Sequence, residues 1–96
     1  MMPIAVCEVG PRDGLQNHPR HFEVAERVEL IDRLSAAGLR RIEAVSFVND
    51  QKVPRMAGAE AVLDSIRRPP GALFSGLVLN GRGVDRALGC DLQEIR

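Results

Sequence analysis

Apolar and polar positions alternate along the chain in blocks that predict strands and helices in turn. Residues 4–9, IAVCEV, form a short apolar run bounded by Gly10 and Pro11, which is typical of a strand buried on both faces. Residues 22–37 predict an amphipathic helix, because apolar side chains recur along one helical stripe. Those side chains are Val24, Val28, Ile31 and Leu34. Gly38 supplies a helix stop, but no Ser, Thr, Asp or Asn marks the start.

The same cycle then repeats along the rest of the chain. Residues 41–47, RIEAVSF, predict a second strand, and the helix after it begins near Pro54 and ends before Pro69-Pro70. Residues 72–79, ALFSGLVL, predict a third strand, and residues 83–88 a short helix. The final LQEIR resembles a fourth strand that the chain end interrupts.

Strand, loop and helix recurring with roughly 30 to 36 residues between strands indicate right-handed βαβ units and a parallel sheet. The doubly wound open sheet and the (β/α)8 barrel share this α/β pattern. A complete barrel needs about 250 residues. If the fold is a barrel, this chain therefore contains about three and a half of its βα units.

Composition indicates a globular domain without a polyanionic or lipid partner. Lys plus Arg and Asp plus Glu each number 13, so no excess charge favours nucleic acid or a membrane surface. No apolar run is long enough for a membrane span, and no leader for export is recognisable. Cys7 and Cys90 lack CxxC spacing, which predicts neither a disulfide framework nor a cysteine metal site. A reducing cytoplasm is the expected location.

Candidate functional groups follow the predicted strands. In parallel α/β folds these groups gather just beyond the carboxyl ends of the strands. That rule selects Arg12 and Asp13 after the first strand, residues 43–47 at the end of the second, and Asn80 after the third. The alternative is that Arg12 and Asp13 cap a loop or pair with neighbours, which is the commoner role of such a dipeptide.

Two glutamates lie inside otherwise apolar predicted strands. An ionised carboxylate at Glu8 or Glu43 needs a cationic partner or a metal. A structural salt bridge with Arg12 or Arg41 remains an alternative for both. Glu43 is the stronger functional candidate, because its strand ends in the polar Ser46.

His18 and His21 are three residues apart, but they lie in a polar loop and are predicted to be exposed rather than metal ligands. The GRG sequence at residues 81–83 resembles a small phosphate-binding nest, which is a weak signal.

Four stretches of the chain resemble the N-terminal part of hydroxymethylglutaryl-CoA lyase, within the wider metal-dependent lyase and synthase barrels. They are EVGPRDGLQN, LIDRLSAAGLRRIEAVSFV, VPRMAGAEAV and GLVLNGRGVDRAL. The likeness runs over nearly the whole chain from about Ile4, and the GPRDGLQN form is specific to the lyase branch. The resemblance implies that residues 1–96 are a partial (β/α)8 barrel domain of this family, truncated at the start of the fourth strand.

The resemblance also implies cleavage of 3-hydroxy-3-methylglutaryl-CoA to acetyl-CoA and acetoacetate, with Mg2+ or Mn2+ as the cofactor. Asp13 matches the family's metal-ligand aspartate, Arg12 the arginine beside the thioester carbonyl, and Glu43 an active-site glutamate. Three further positions match residues near the acyl-CoA substrate: Gln16, Ser46 and Asn80. The parent enzyme is expected to be a homo-oligomer.

The chain also departs from the family pattern. After SFV the family has Ser or Asn and then Pro-Lys, whereas residues 49–51 here are Asn-Asp-Gln, followed by Lys52. The family's metal-binding histidines and reactive loop cysteine belong to later strands, so the isolated chain is expected to be inactive. The alternatives are a related acyl-CoA lyase or aldolase with a different substrate, and a non-catalytic half-barrel that assembles with a partner.

Overall fold

The computed structural model describes residues 7–95, in which strands and helices alternate. The strands are β1 (Cys7–Glu8), β2 (Arg41–Phe47), β3 (Leu73–Val78) and β4 (Glu94–Ile95). The helices are α1 (Val24–Ala36), α2 (Ala59–Ser65) and α3 (Gly81–Leu88). Residues 4–6 of the first predicted strand lie outside the described part.

The strands form one parallel sheet in the order β1-β2-β3-β4, which confirms the predicted α/β class. Neighbours in the sheet are therefore also neighbours in the chain. A doubly wound sheet reverses its strand order at a switch point, whereas a (β/α)8 barrel does not. The observed order favours the barrel, and it places the carboxyl ends of all four strands on one edge.

Helix boundaries differ from the sequence predictions for local reasons. α1 begins two residues later than predicted because the Glu23 amide donates to the Glu26 carboxylate at 3.2 Å, forming a glutamate capping box. α2 also begins later, because Pro54–Met56 forms a separate 3-10 turn and Gly58 follows with a φ of 75°. α3 begins earlier, because Asn80 caps its first turn.

The hydrophobic core lies between the sheet and the helices. Its buried members are Ile31, Ile42, Ala44, Val45, Phe47, Ala59, Val62, Leu63, Ile66, Phe74 and Ala87. A Cβ atom at Gly76 would overlap the Phe47 ring, so β3 requires a glycine where it packs beside β2. Within residues 7–95, the structure contains no helix with the length and apolarity needed to cross a membrane.

Candidate active site

A single π-helical turn, Gly10–Gly14, follows β1 and presents the first pair of candidate residues. The Val9 carbonyl accepts the amides of Arg12 and Asp13 at 3.1 and 2.7 Å. The Glu8 carboxylate accepts the Gly10 amide at 2.8 Å. Glu8 therefore caps this turn, a local role that differs from the salt bridge considered for it from sequence.

Arg12 joins two carboxylates of the candidate site. Its Nε donates to Glu43 Oε1 at 2.6 Å, and its Nη1 lies 3.5 Å from Asp13 Oδ1. The Glu43 side chain is only 4% exposed, the Arg12 side chain 20%, whereas that of Asp13 is 55% exposed. The salt bridge predicted as an alternative for Glu43 is present. Arg12 therefore joins Asp13, which like Arg12 follows β1, to Glu43 inside β2, with one of the two carboxylates open to solvent.

A β-bulge in β2 brings Ser46 to the same face of the sheet as Glu43. Glu43 pairs with Ser75 and Ser46 with Leu77, and the register shifts between them because Ala44 is an extra residue. Ser75 and Leu77 are two residues apart on β3 and so share a face. Without the bulge, strict alternation would turn Ser46 toward the helices.

The remaining predicted substrate positions differ in their surroundings. Ser46 Oγ and Gln16 Oε1 are buried, and neither oxygen has a hydrogen-bond partner within residues 7–95. Such unpaired oxygens are costly, and a ligand or water that pairs with them relieves the cost. Asn80 is exposed, and its Oδ1 already accepts the Gly83 amide at 2.9 Å as the α3 cap. The Asn80 side chain therefore has its amide nitrogen left for other contacts.

The segment after β2, residues 48–53, is here named the second rim loop. Asn49 Oδ1 accepts the amides of Gln51 and Lys52 at 2.9 and 3.1 Å, which gives the loop a defined turn. The loop and the start of α3 line a pocket of about 740 Å³. The departure from the family's Pro-Lys pattern therefore leaves an ordered loop in this chain.

Two arginines that the sequence analysis did not select fasten the loops beside the site. Arg55 donates to the carbonyls of three consecutive residues: His18, Pro19 and Arg20. Arg86 donates to the Val48 carbonyl of the second rim loop at 2.8 Å. No motif marks either arginine, because the groups that they contact are distant in sequence.

Within the described residues, no group of three or more His, Cys, Asp or Glu side chains could hold a metal ion. His18 packs edge-on against Phe22, and His21 lies 3.7 Å from Glu23, so neither histidine is directed to Asp13 by these contacts. Asp13 Oδ1 lies 3.3 Å from Asn17 Nδ2. Asp13 offers an exposed carboxylate, which suits one ligand of an incomplete oxygen site.

Comparison with known proteins finds one matching family and similar proteins that are named as acyl-CoA lyases. The family model described as HMGL-like matches residues 3–96. The 3-hydroxy-3-isohexenylglutaryl-CoA/hydroxy-methylglutaryl-CoA lyase of Pseudomonas aeruginosa is 46% identical over 92 residues, covering 96% of this chain and 31% of that protein. The (R)-citramalyl-CoA lyase of Chloroflexus aurantiacus is 42% identical over 106 residues, covering 100% of this chain and 33% of that protein.

The fold agrees with solved structures of similar proteins. The structure of an HMG-CoA lyase from Acinetobacter baumannii in complex with coenzyme A and 3-methylmalate superposes with a TM-score of 0.89 at 35% identity. The match covers 99% of this chain and 32% of that one. The chain thus spans about a third of the length of the proteins that it matches.

Proposed function

Because the chain belongs to the HMGL-like family, we propose that it is the N-terminal part of a hydroxymethylglutaryl-CoA lyase. Its four parallel strands match the N-terminal part of the lyase (β/α)8 barrel. The proposed reaction cleaves a carbon–carbon bond of 3-hydroxy-3-methylglutaryl-CoA and yields acetyl-CoA and acetoacetate. The observation that carries this proposal is the contact of Arg12 with Asp13 and Glu43 just beyond the carboxyl end of β1, where Glu43 is the third residue of the neighbouring β2.

Arg12 is suited to stabilise the charge that this reaction develops. When the bond breaks, its electron pair passes to the acetyl-CoA fragment and is held as an enolate on the thioester oxygen. A guanidinium keeps its positive charge at working pH and is a permanent counterion for that oxygen. Glu43 holds Nε of Arg12 at 2.6 Å, which fixes the plane of the guanidinium, and with Nη1 beside Asp13 the other terminal nitrogen, Nη2, is proposed to face the substrate.

Metal dependence is general in this family, and we propose Mg2+ or Mn2+ as the ion. Asp13 would be one of its ligands, because hard divalent cations prefer carboxylate oxygens and this one is exposed. When bound, such an ion would make the tertiary hydroxyl of the substrate more acidic and would orient it. Asp13 can also relay the hydroxyl proton. The other ligands would come from residues outside those described.

The acyl-CoA substrate is proposed to contact Gln16, Ser46 and Asn80 as well as Arg12. The unpaired oxygens of Gln16 and Ser46 support this assignment, because both need a hydrogen-bond partner.

A cytoplasmic location is proposed on the basis of the free thiols of Cys7 and Cys90. A homo-oligomeric parent enzyme stays a prediction.

A lyase for a different 3-hydroxyacyl-CoA is the second candidate. The Pseudomonas aeruginosa lyase, 46% identical, is named for isohexenylglutaryl-CoA as well as hydroxymethylglutaryl-CoA. The Chloroflexus aurantiacus lyase, 42% identical, is named for citramalyl-CoA. The chain matches both lyases about equally well, so this third of the barrel is compatible with either acyl group. Both candidates require the same Arg12 and Asp13 chemistry.

A hybrid enzyme tests the proposed function. In it, residues 1–96 replace the matching part of the Pseudomonas aeruginosa lyase, and cleavage is measured with Mg2+ on hydroxymethylglutaryl-CoA, isohexenyl- and citramalyl-type thioesters. We expect cleavage of the first substrate, with the isolated chain inactive. A folded hybrid that cleaves none of the three would contradict the proposal. A preference shifted toward another thioester, relative to the unaltered Pseudomonas aeruginosa lyase, would favour the second candidate.

A further inference from the structure

Arg86 of α3 connects two other elements of the fold. Its Nε and Nη2 donate to the two carboxylate oxygens of Glu60 in α2, at 2.8 and 2.7 Å. Its Nη1 donates to the Val48 carbonyl at 2.8 Å, and its Nη2 lies 3.4 Å from Asp50 Oδ1. The guanidinium also lies over the Phe47 ring at 5.6 Å. One side chain therefore ties α2 and α3 to the second rim loop.

The planar shape of a guanidinium explains why an arginine occupies this position. One edge forms a two-point contact with Glu60, while the remaining nitrogen reaches the Val48 carbonyl. A lysine carries a single ammonium group and cannot span these acceptors in the same geometry. The Arg86 side chain is 26% exposed, so solvent screens these contacts less than it would at an open surface.

Apart from Arg86, the second rim loop has few contacts with other elements in the described part: the Val53 carbonyl accepts the Met56 amide at 3.0 Å, and Asp50 interacts electrostatically with Arg27. Within residues 7–95, every side-chain hydrogen bond that joins this loop to another element comes from Arg86. The contacts of Asn49 shape the loop internally but do not attach it to the helices. The position of the loop relative to the strand ends therefore depends on Arg86.

We propose that Arg86 is a positioning residue that fixes the second rim loop beside the active site. This inference rests on the proposed function only in assigning the loop to the substrate-facing edge, next to Ser46 and Glu43. Asp50 and Glu60 are the carboxylates that orient Arg86 for this role. The expected consequence of losing Arg86 is a mobile loop on an otherwise intact sheet.

Amide hydrogen exchange of the full chain tests this role. We expect Arg86→Lys to accelerate exchange of the Gln51, Lys52 and Val53 amides about tenfold, while the β2 amides change less than about twofold. These loop amides are bonded to Asn49, so their exchange reports opening of the loop. Arg33→Lys is the matched control, because Arg33 also pairs with a glutamate but, within residues 7–95, its side chain donates no hydrogen bond to the second rim loop.

Two results would overturn the proposal. Unchanged loop exchange in Arg86→Lys would show that Arg86 does not hold the loop, and equal acceleration of loop and β2 amides would show a general loss of stability. If Arg86→Lys does not fold, Glu60→Gln keeps Arg86 and removes the charge that orients it. That variant should accelerate the loop amides selectively, and no selective effect would again overturn the proposal. Because the measurement needs no substrate, its failure leaves the lyase proposal unaffected.

Discussion

Arg12 lies between two carboxylates in different surroundings, the buried Glu43 and the exposed Asp13. The sequence predicted the meeting of these residues, because each follows or ends a strand of one parallel sheet. It also offered a salt bridge as the alternative to a functional role for Glu43. The structure shows that the alternatives are compatible, since a buried carboxylate that orients a guanidinium also prepares it for a substrate anion.

Replacement of Glu43 tests the orienting role in the hybrid enzyme. We expect Glu43→Gln to lower kcat about tenfold, because a hydrogen bond to a charged group is worth about 1.5 kcal/mol or more and 1.4 kcal/mol changes a rate tenfold. Glu29→Gln is the control, since that glutamate pairs with Arg33 on the exposed side of α1. An unchanged kcat in Glu43→Gln would contradict the assignment.

The substitution Gly76→Ala tests the packing between β2 and β3, because it adds one Cβ atom where the two strands are in contact. We expect Gly76→Ala to lower the free energy of unfolding by about 1–3 kcal/mol, because the added Cβ would press on the Phe47 ring. Gly81→Ala is the matched control, since no atom lies within 4 Å of a Cβ built there. Urea denaturation of the hybrid measures both, and equal stabilities would show that the ring moves aside without cost.

At the scale of elements, sequence patterns predicted the alternation of strands and helices but not the details that depend on three-dimensional contacts. The bulge at Ala44 has no sequence signal, because Ala, Val and Ser on either side are all tolerated in a regular strand. Its consequence, Ser46 on the face of Glu43, could therefore not be predicted. The start of α1 was also missed, because two glutamates replace the usual small N-cap residue.

The contact between α2 and α3 predicts a pH dependence. The Arg86 guanidinium, chiefly through its hydrogen bonds, holds the pKa of Glu60 below its usual range, and the same pair raises the pKa of Arg86. A depressed carboxyl pKa stabilises the folded state above the unfolded pKa of about 4.3, and this stabilisation is lost as the pH falls through the lower folded value.

Unfolding of the hybrid at different pH values checks this dependence. The stability difference between the parent hybrid and its Glu60→Gln variant should be full at neutral pH and should shrink as the pH falls below about 4. A difference that is the same at all pH values would show that the charge of Glu60 does not contribute.

Within residues 7–95, the sheet has β1 and β4 as its outermost strands, and each pairs with one neighbouring strand in the described part. Large apolar side chains are exposed as well, including Leu79 at 70% and Leu88 at 71%. Open edges and apolar patches favour association between chains.

We expect the isolated chain to self-associate in gel filtration, with apparent size rising with concentration. A charge on the edge strand, Ile95→Lys, should reduce the association, because a lysine opposes strand addition. Asp91→Asn, just outside β4, raises the net charge by the same single unit and is the matched control. A monodisperse monomer with cooperative melting would contradict this prediction.

The most direct test of the lyase assignment is the rate of Mg2+-dependent cleavage of hydroxymethylglutaryl-CoA by the hybrid enzyme and its Arg12→Gln variant. Loss of a preorganised stabilising group in the transition state typically lowers kcat by about 100- to 1,000-fold. We predict a loss of this size for Arg12→Gln and a normal rate for Arg33→Gln. A folded Arg12→Gln hybrid that cleaves the substrate at the parent rate would contradict the account.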